Sequence, residues 1–585
     1  MVEGINYKWG SKKGGRGSEN NGDKVCWKKK SKFFDLEYSK YLPVRHALDV
    51  MHIEKNISNS IIGTLLAIPG KNKDEIAARL DLLNMGVKTN LKPEYGERRT
   101  RLPLGPWNLS REVCNFFYGM KVPEGYSSDI KNLVSLQDSR LLGLKSHDCH
   151  TLMQQLLPVA IRSVLKKPAR YAITRLCFFF NAICAKTVDV SKLDKLEEDV
   201  VVTLCLLEKY FPPSFFDIMV HLVVHLVREV HLCGPVYFRW MYPFERYMKV
   251  LKGYVQNRNH PEGCIAERYI AEEAVKFCTE HLSYVSIVGV PSSQKMGLSK
   301  LLSGCTVSLV DRDSLNQAHL YVLENTEEVL PYIEEHMIHI KTTYPKFRKR
   351  TKWLQDKHNT TFIQWLRFKV QSQLNGEDNN GVSENLRWLV AGPSMAEPSY
   401  RSYLIKGVKF NTKAQDDVRT VQNSGVYLLA HTMQVACAKD KNPIVSNMGF
   451  YGVIQDIWDL DYQKFTITVF RCDWIDSTSG LVVDELGFTL VDLSKIGHRN
   501  DQFVMASQVK QVVFVDDPMH HGWSVVLSVL NREYNDVIGD DVLGDVRIKY
   551  EPFTRGIPNV DTFDELACES GSQNIRDVCE DIWIE

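Results

Sequence analysis

The chain has 585 residues, 72 Lys+Arg against 71 Asp+Glu, and a hydrophobic fraction of 44%. That length is several domains' worth, the composition is that of an ordinary globular protein, and a net charge of +1 excludes a chain-wide field for nucleic acid. The first residues lack the apolar segment of a secretory signal, no run of about 18 apolar residues marks a membrane span, and the 14 cysteines contain no Cys-x-x-Cys pair, which argues against a disulfide framework and a self-contained zinc ribbon.

Residues 1–33 are basic and Gly-rich and read as disordered. Helical apolar spacing covers 45–68, and a short amphipathic helix covers 73–86 with Gly86 just past its end. The Pro-, Gly- and charge-rich stretch 87–130 reads as an extended connection, so 34–130 is a helical start followed by a linker. Residues 131–285 form a helical unit. Within it "PPSFFDIMVHLVVHLVREVHL" opens on Pro212 and Pro213 with Ser214 and Asp217 at capping spacing. Residues 286–374 read as a helical connector, whose patch from 325 opens with Asn325 and Glu328 at the same spacing. "NGEDNNG" places a linker at 375–395. From 396 to 530 the period changes to two, and five short strands bounded by polar turns predict a small barrel or sandwich. Residues 531–585 are an acidic, disordered tail. The fold class is therefore multidomain α+β: a mainly α-helical N-terminal and central region, a small β-barrel-like C-terminal domain and disordered termini.

Three groups of side chains carry chemistry. His221 and His225 are four apart, so a helix places both imidazoles on one face as a candidate zinc pair. Zinc needs three or four ligands, and the candidate completions are His231, Cys233, and His147, Cys149 and His150 of "SHDCH". The ordinary alternative is a pair of histidines hydrogen-bonded within a bundle. Glu245 follows Pro243 and falls in the first turn of a new helix, where the dipole stabilises a carboxylate; the sharper reading is a metal-binding acid. "PKFRKRTKW" gathers Lys346, Arg348, Lys349, Arg350 and Lys352 around Phe347 and Trp353. Basic side chains near phosphates release counterions, and aromatics can stack on bases. "CWKKKSK" at 26–32 is similar. Asp49 and His52, and Asp476, Asp484 and Glu485, read as structural or solvated acids and histidines. Phe450, Trp458, Phe470 and Trp474 occupy even positions and are expected to share a core face within each strand.

The strings "RHALDVMHIEKNISNSIIGTLLAIPGK" (45–71), "MYPFERYMKVLKGYVQNRNHPEGCIAERYIAEEAVKF" (241–277), "VQNSGV" (421–426) and "FYGVIQDIWDLDYQKFTITVFRCDWID" (450–476) resemble, in the same order, plant CACTA (En/Spm-type) transposase proteins. The resemblance implies that 34–130 is the tail of the transposase domain. It implies that 131–285 and 396–530 are two transposase-associated domains of unknown function. It also implies that the helical part is a remnant and insertion of a ribonuclease H-like DDE core. Such enzymes cut and join DNA with paired Mg²⁺ ions and carry a zinc site. By spacing, Glu245 corresponds to the third catalytic acid, and His221 and His225 to the zinc histidines. The strings that carry the first two catalytic aspartates, and the CPxC half of the zinc site, are absent from this sequence. One carboxylate cannot hold two ions that clamp the attacking and leaving oxygens, so both the Zn and Mg sites are incomplete and no transposase activity is expected. The alternatives are a domesticated DNA- or chromatin-associated binding protein using the basic patches and the β domain, and an active metal-dependent nuclease. Expected partners are DNA, or a full-length transposase or other protein, with no membrane. The expected location is the nucleus or the cytoplasm.

Overall fold

In the computed structural model the described residues run from 35 to 529, apart from 45, 98–99, 110–111, 124–129, 139, 284–298, 302–305, 310, 376–381, 395, 406–407, 435–443 and 499–500, together with 582–584. The basic N-terminal stretch, "CWKKKSK", most of "NGEDNNG" and nearly all of the acidic tail lie outside them. Among the described residues no helix is long and apolar enough to cross a membrane, and the described cysteines form no disulfide.

The N-terminal half is helical. It contains α1 (Val50–Leu65), α2 (Ile76–Asn84), the hairpin β1 (Glu94–Tyr95) and β2 (Thr100–Leu102), α3 (Glu112–Gly119), α4 (Ile130–Leu133), and the pair β3 (Val134–Ser135) and β4 (Arg140–Leu141). The stretch 87–130 is thus not simply an extended linker. Asp49 caps α1 by accepting the His52 backbone N–H, which assigns both residues a structural role.

Next come α5 (Ser146–Thr151), a π segment (Leu152–Leu156), α6 (Leu157–Ala160), α7 (Lys167–Ile183), α8 (Leu193–Tyr210), α9 (Ile218–Cys233), α10 (Tyr242–Tyr254) and α11 (Pro261–Ser283). The π segment has a local cause. Pro158 has no N–H to donate to Gln154 and its ring crowds that carbonyl, so the helix widens just before it. Helices α1, α7, α8 and α9 and the π segment bury one apolar core that includes Ile57, Met153, Phe180, Leu207 and Leu226.

The middle of the chain contributes β5 (Ser299–Leu301), β6 (Thr306–Leu309), α12 (Arg312–Glu324), α13 (Leu330–Thr343), α14 (Thr351–Leu374) and α15 (Glu384–Ala391). Asn325 closes α12 instead of opening a helix, and the Glu328 carboxylate accepts from Ser383 Oγ at 2.6 Å. Spacing alone fits either frame; the apolar face of α12, packed on Phe362 and Leu366, decides it.

The C-terminal strands are β7 (Ala396–Tyr400), β8 (Ser402–Ile405), β9 (Val408–Asn411), then α16 (Lys413–Asp417), β10 (Gly425–Gln434), β11 (Ile444–Asp461), β12 (Thr466–Ile475), β13 (Leu481–Val483), β14 (Thr489–Val491), β15 (Ile496–Gly497), β16 (Phe503–Met505), β17 (Lys510–Asp516) and β18 (Ser524–Ser528). Eight of them form a half-barrel sheet of order β13-β14-β18-β17-β10-β11-β12-β15, with antiparallel pairing throughout; β7 and β16 pair alongside β11 and β12, and β8 and β9 join β5 in a second sheet. A bulge between Ile454 and Asp456 breaks the alternation of β11. Before it Phe450 and Ile454 face Phe470 and Trp474; after it Ile457 takes that face and Trp458 turns to Leu460 and Phe503. The even-position aromatics therefore line two cores, because one extra residue reverses every side chain beyond it.

The two halves pack together. Phe488, Leu490, Val513 and Val525 of the sheet share a core with Ile62, Leu152, Val159 and Phe178 of the helices. Arg162, 2% exposed, reaches across to Asp517 through Nε (3.0 Å) and Nη2 (3.2 Å), and to Asp484 through Nη1. Asp484 is thus an anchored inter-domain partner, while Glu485 meets Lys167 at 3.4 Å on the surface. Asp476 folds its own turn, accepting from Thr478 and Ser479.

Three buried histidines make the connector acid-sensitive. Burial, with the Arg367 charge, lowers His319 to about 3; burial, with His358 and His339, lowers His336 to about 4; burial lowers His358 to about 4. The fold prefers each ring neutral, so their stabilisation is complete above the ordinary value of 6.5 and is lost as pH falls towards 4. Glu324 runs the other way, since burial and Asp501 raise it to about 7. The three large histidine shifts outweigh Glu324 and the smaller upward shifts of Asp459 and Asp501, so urea midpoints should fall between pH 6.5 and 4. A flat profile across that range would contradict the buried neutral imidazoles.

Candidate metal and nucleic-acid sites

Helix α9 begins where Asp217 accepts the backbone N–H groups of Met219 and Val220. Ser214 instead sits in the preceding turn and bonds to the Lys73 carbonyl, so Asp217, not Ser214, is the cap. Val220, Val223, Leu226, Val227 and Val230 turn inward. That face leaves His221 and His225 exposed, with their Nε2 atoms 3.3 Å apart. Two imidazoles on one tetrahedral zinc ion, with Zn–N bonds of about 2.0–2.1 Å, would have nitrogens about 3.3 Å apart. The pair therefore has chelating geometry. It has no third ligand: among the described residues, no His, Cys, Asp or Glu joins these two in a group of three. His231 Nε2 lies 3.4 Å from Asp194, Cys233 is exposed at the helix end, and the residues of "SHDCH" pack elsewhere. The described residues around this pair do not fit a structural or catalytic zinc site there.

Glu245 sits in the first turn of α10, after Pro243, and is exposed. It belongs to no metal-binding group among the described residues. A hard divalent ion takes six or more oxygens and is held by several carboxylates, so Glu245 by itself does not fit an Mg²⁺ site. It lies close enough to Tyr242 to help raise that phenol, behind the larger effects of burial and of Glu54.

The basic run forms an elbow between helices. Residues Pro345–Phe347 make a 3-10 turn, and α14 starts at Thr351. Lys346, Arg348, Lys349, Arg350 and Lys352 are all exposed. Their aromatic neighbours are engaged with one another: Phe347 stacks on Trp353 at 4.3 Å and 17°, and Tyr344 meets the Trp353 edge at 5.3 Å. The Arg350 guanidinium stands over the Phe347 ring at 5.4 Å. Both aromatics thus brace the elbow, and the groups it offers outward are cations. Such a surface suits phosphates more than stacked bases.

The sequence reading missed a further cluster. His150 Nδ1 lies 2.6 Å from Glu54 Oε2, and Cys184 completes a buried trio. The Trp240 and Tyr242 rings wall in His150 at 5.5 and 5.3 Å. Glu54 follows His52 in "MHIEKN", but nothing in its local spacing ties it to residues 150 and 184.

Two family models match the chain. Residues 183–290 match a domain of unknown function, DUF4218, and residues 458–526 match another, DUF4216. Both are commonly found in plant transposase-associated proteins. The first match spans α8 to α11 and so contains His221, His225 and Glu245; the second begins at Trp458, beyond the β11 bulge. No curated protein and no solved structure matches.

Proposed function

We propose that this chain is a transposon-derived, CACTA-related protein that holds nucleic acid by its phosphates through the 344–353 elbow and does not cut it. The observation that carries the reading is the elbow itself: five exposed cations on a turn braced from inside by stacked aromatics. The two domain matches and the collinear strings at 45–71, 241–277, 421–426 and 450–476 support the transposon origin. Among the described residues Glu245 joins no acid cluster and His221 and His225 gain no third ligand, which supports the lack of nuclease activity. On this reading the protein acts in the nucleus, bound to DNA alone or beside a complete transposase that supplies the absent acids.

Salt dependence tests it. Each phosphate neutralised on a duplex contributes about −0.9 to the slope of log K against log salt, so five contacts give about −4.5. Removing three charges with Lys349→Ala/Arg350→Ala/Lys352→Ala should bring the slope to about −1.8 and weaken binding to all duplex sequences alike. An unchanged slope would move the contact elsewhere. In the same preparation supercoiled plasmid should stay intact in Mg²⁺ or Mn²⁺; cleavage abolished by Glu245→Ala would establish the active-nuclease reading instead.

A further inference from the structure

Glu54 on α1, His150 on α5 and Cys184 at the C-terminal end of α7 meet in the helical body. One ligand atom from each lies within 4.8 Å of the other two, and all three residues are buried. The Glu54 side chain is 2% exposed. Its Oε2 meets His150 Nδ1 at 2.6 Å, while Oε1 is buried with no hydrogen-bond partner. A carboxylate taken out of water needs its oxygens satisfied or its charge matched. One imidazole satisfies one oxygen. The bare oxygen belongs to a carboxylate grouped with a buried imidazole and thiol, a donor set whose needs a cation would meet.

We propose that Glu54, His150 and Cys184 bind one zinc-class divalent ion. The donor set decides the metal class. A thiolate and an imidazole beside a single carboxylate suit Zn²⁺, and they exclude Mg²⁺ and Ca²⁺, which take oxygen ligands. Ligand atoms on a tetrahedral zinc ion are about 3.3–3.6 Å apart. The Glu54–His150 contact would open by about 1 Å and the wider separations would close by about as much, which are side-chain adjustments. The thiol gives its proton to solvent as the metal–sulfur bond forms. The ion would tie α1, α5 and α7 together beneath Trp240 and Tyr242, with a fourth position left for water. This site is separate from the exposed His221 and His225 and does not depend on nucleic-acid binding.

The full chain, stripped with a chelator and titrated with Co²⁺ and then Zn²⁺, tests the proposal. One equivalent of Co²⁺ should produce a thiolate-to-metal charge-transfer band, which Zn²⁺ abolishes. Thermal unfolding should shift upward with Zn²⁺. His221→Ala/His225→Ala/Cys233→Ser should keep the band; Cys184→Ser should lose it, and His150→Gln should weaken metal binding at least 10-fold. Absence of the band in the wild-type chain overturns the proposal without recourse to any variant that might fold poorly. So does a band that survives Cys184→Ser or vanishes in the triple variant.

Discussion

Arg162→Ala should destabilise the protein by about 3–5 kcal/mol, the usual cost of removing one partner from a buried ion pair. The guanidinium pairs with both carboxylate oxygens of Asp517 and with Asp484, and it lies 5.1 Å from the centre of the Phe488 ring. Without it, two carboxylates of the sheet half lose the cation that joins them to the helices. Backbone N–H groups of Leu486 and Phe488 still bond to Asp484, and Met519 N–H and His520 still reach Asp517. Those contacts orient the acids, and Arg170, which interacts electrostatically with both, offsets only part of the charge that Arg162 neutralises. Arg162→Lys should recover only part of the loss, because one ammonium cannot reproduce the forked geometry. Urea denaturation followed by far-ultraviolet circular dichroism provides the measurement, and the variant should separate helical from sheet unfolding. A loss below about 1 kcal/mol, the range of an exposed pair, would mean that Arg162 is not what locks the halves.

The same clamp sets an acid dependence of fixed sign. Burial alone would raise Asp517, but hydrogen bonds from His520, Arg162 and the Met519 backbone outweigh it and hold the carboxyl below its ordinary value of 3.8. Its contribution is therefore complete above that value and disappears only as pH falls through the lower folded one. The acid loss expected from the connector histidines begins well above this range, so the two can be told apart.

Asp74→Ala should cost a similar amount, about 3–5 kcal/mol. Asp74 and Arg79 are each 1% exposed and Trp107 is wholly buried. The Asp74 carboxylate accepts from Arg79 Nε, from Arg79 Nη2 at 2.7 Å and from Trp107 Nε1 at 2.8 Å. Arg79 in turn donates to the carbonyls of Leu91 and Pro103. One acid thus fixes α2, the β1–β2 hairpin and the indole that stacks on Phe211 at 6.2 Å. Asp74→Asn should be nearly as damaging, because it removes the charge and turns an amide N–H₂ towards donors. Limited proteolysis should then cut within 87–105 before global unfolding. If the stretch stayed protected and the denaturation midpoint barely moved, the network would be incidental.

Much of this architecture could be read from local pattern. The apolar spacing of α7 and α9 and the period-two runs of β11, β12 and β17 each encode a face and its burial over a few residues. So does the His221–His225 pair, because an i, i+4 relation is local geometry. Features that depend on distant chain were not legible. Ser214 and Asp217 satisfy a capping pattern in two frames, and the Lys73 carbonyl that engages Ser214 is 141 residues away. The β11 bulge follows from the way Ile454 and Asp456 meet β12, and nothing in "GVIQDIW" marks it. Glu54 and His150 are 96 residues apart; only the packing of α1 against α5 brings them together.

The helix–sheet boundary has a consequence for synthesis. Arg162 and Asp517 are separated by 355 residues, and the strands that cover Leu152, Val159 and Phe178 lie near residues 488–527. At about 5–20 residues per second, the ribosome needs roughly 20–70 s to deliver the partner surface after the helices have emerged. During that interval a finished apolar face and a buried-type arginine stand open to the cytosol, so the nascent helical half is a natural client for chaperones until its own C-terminal strands arrive.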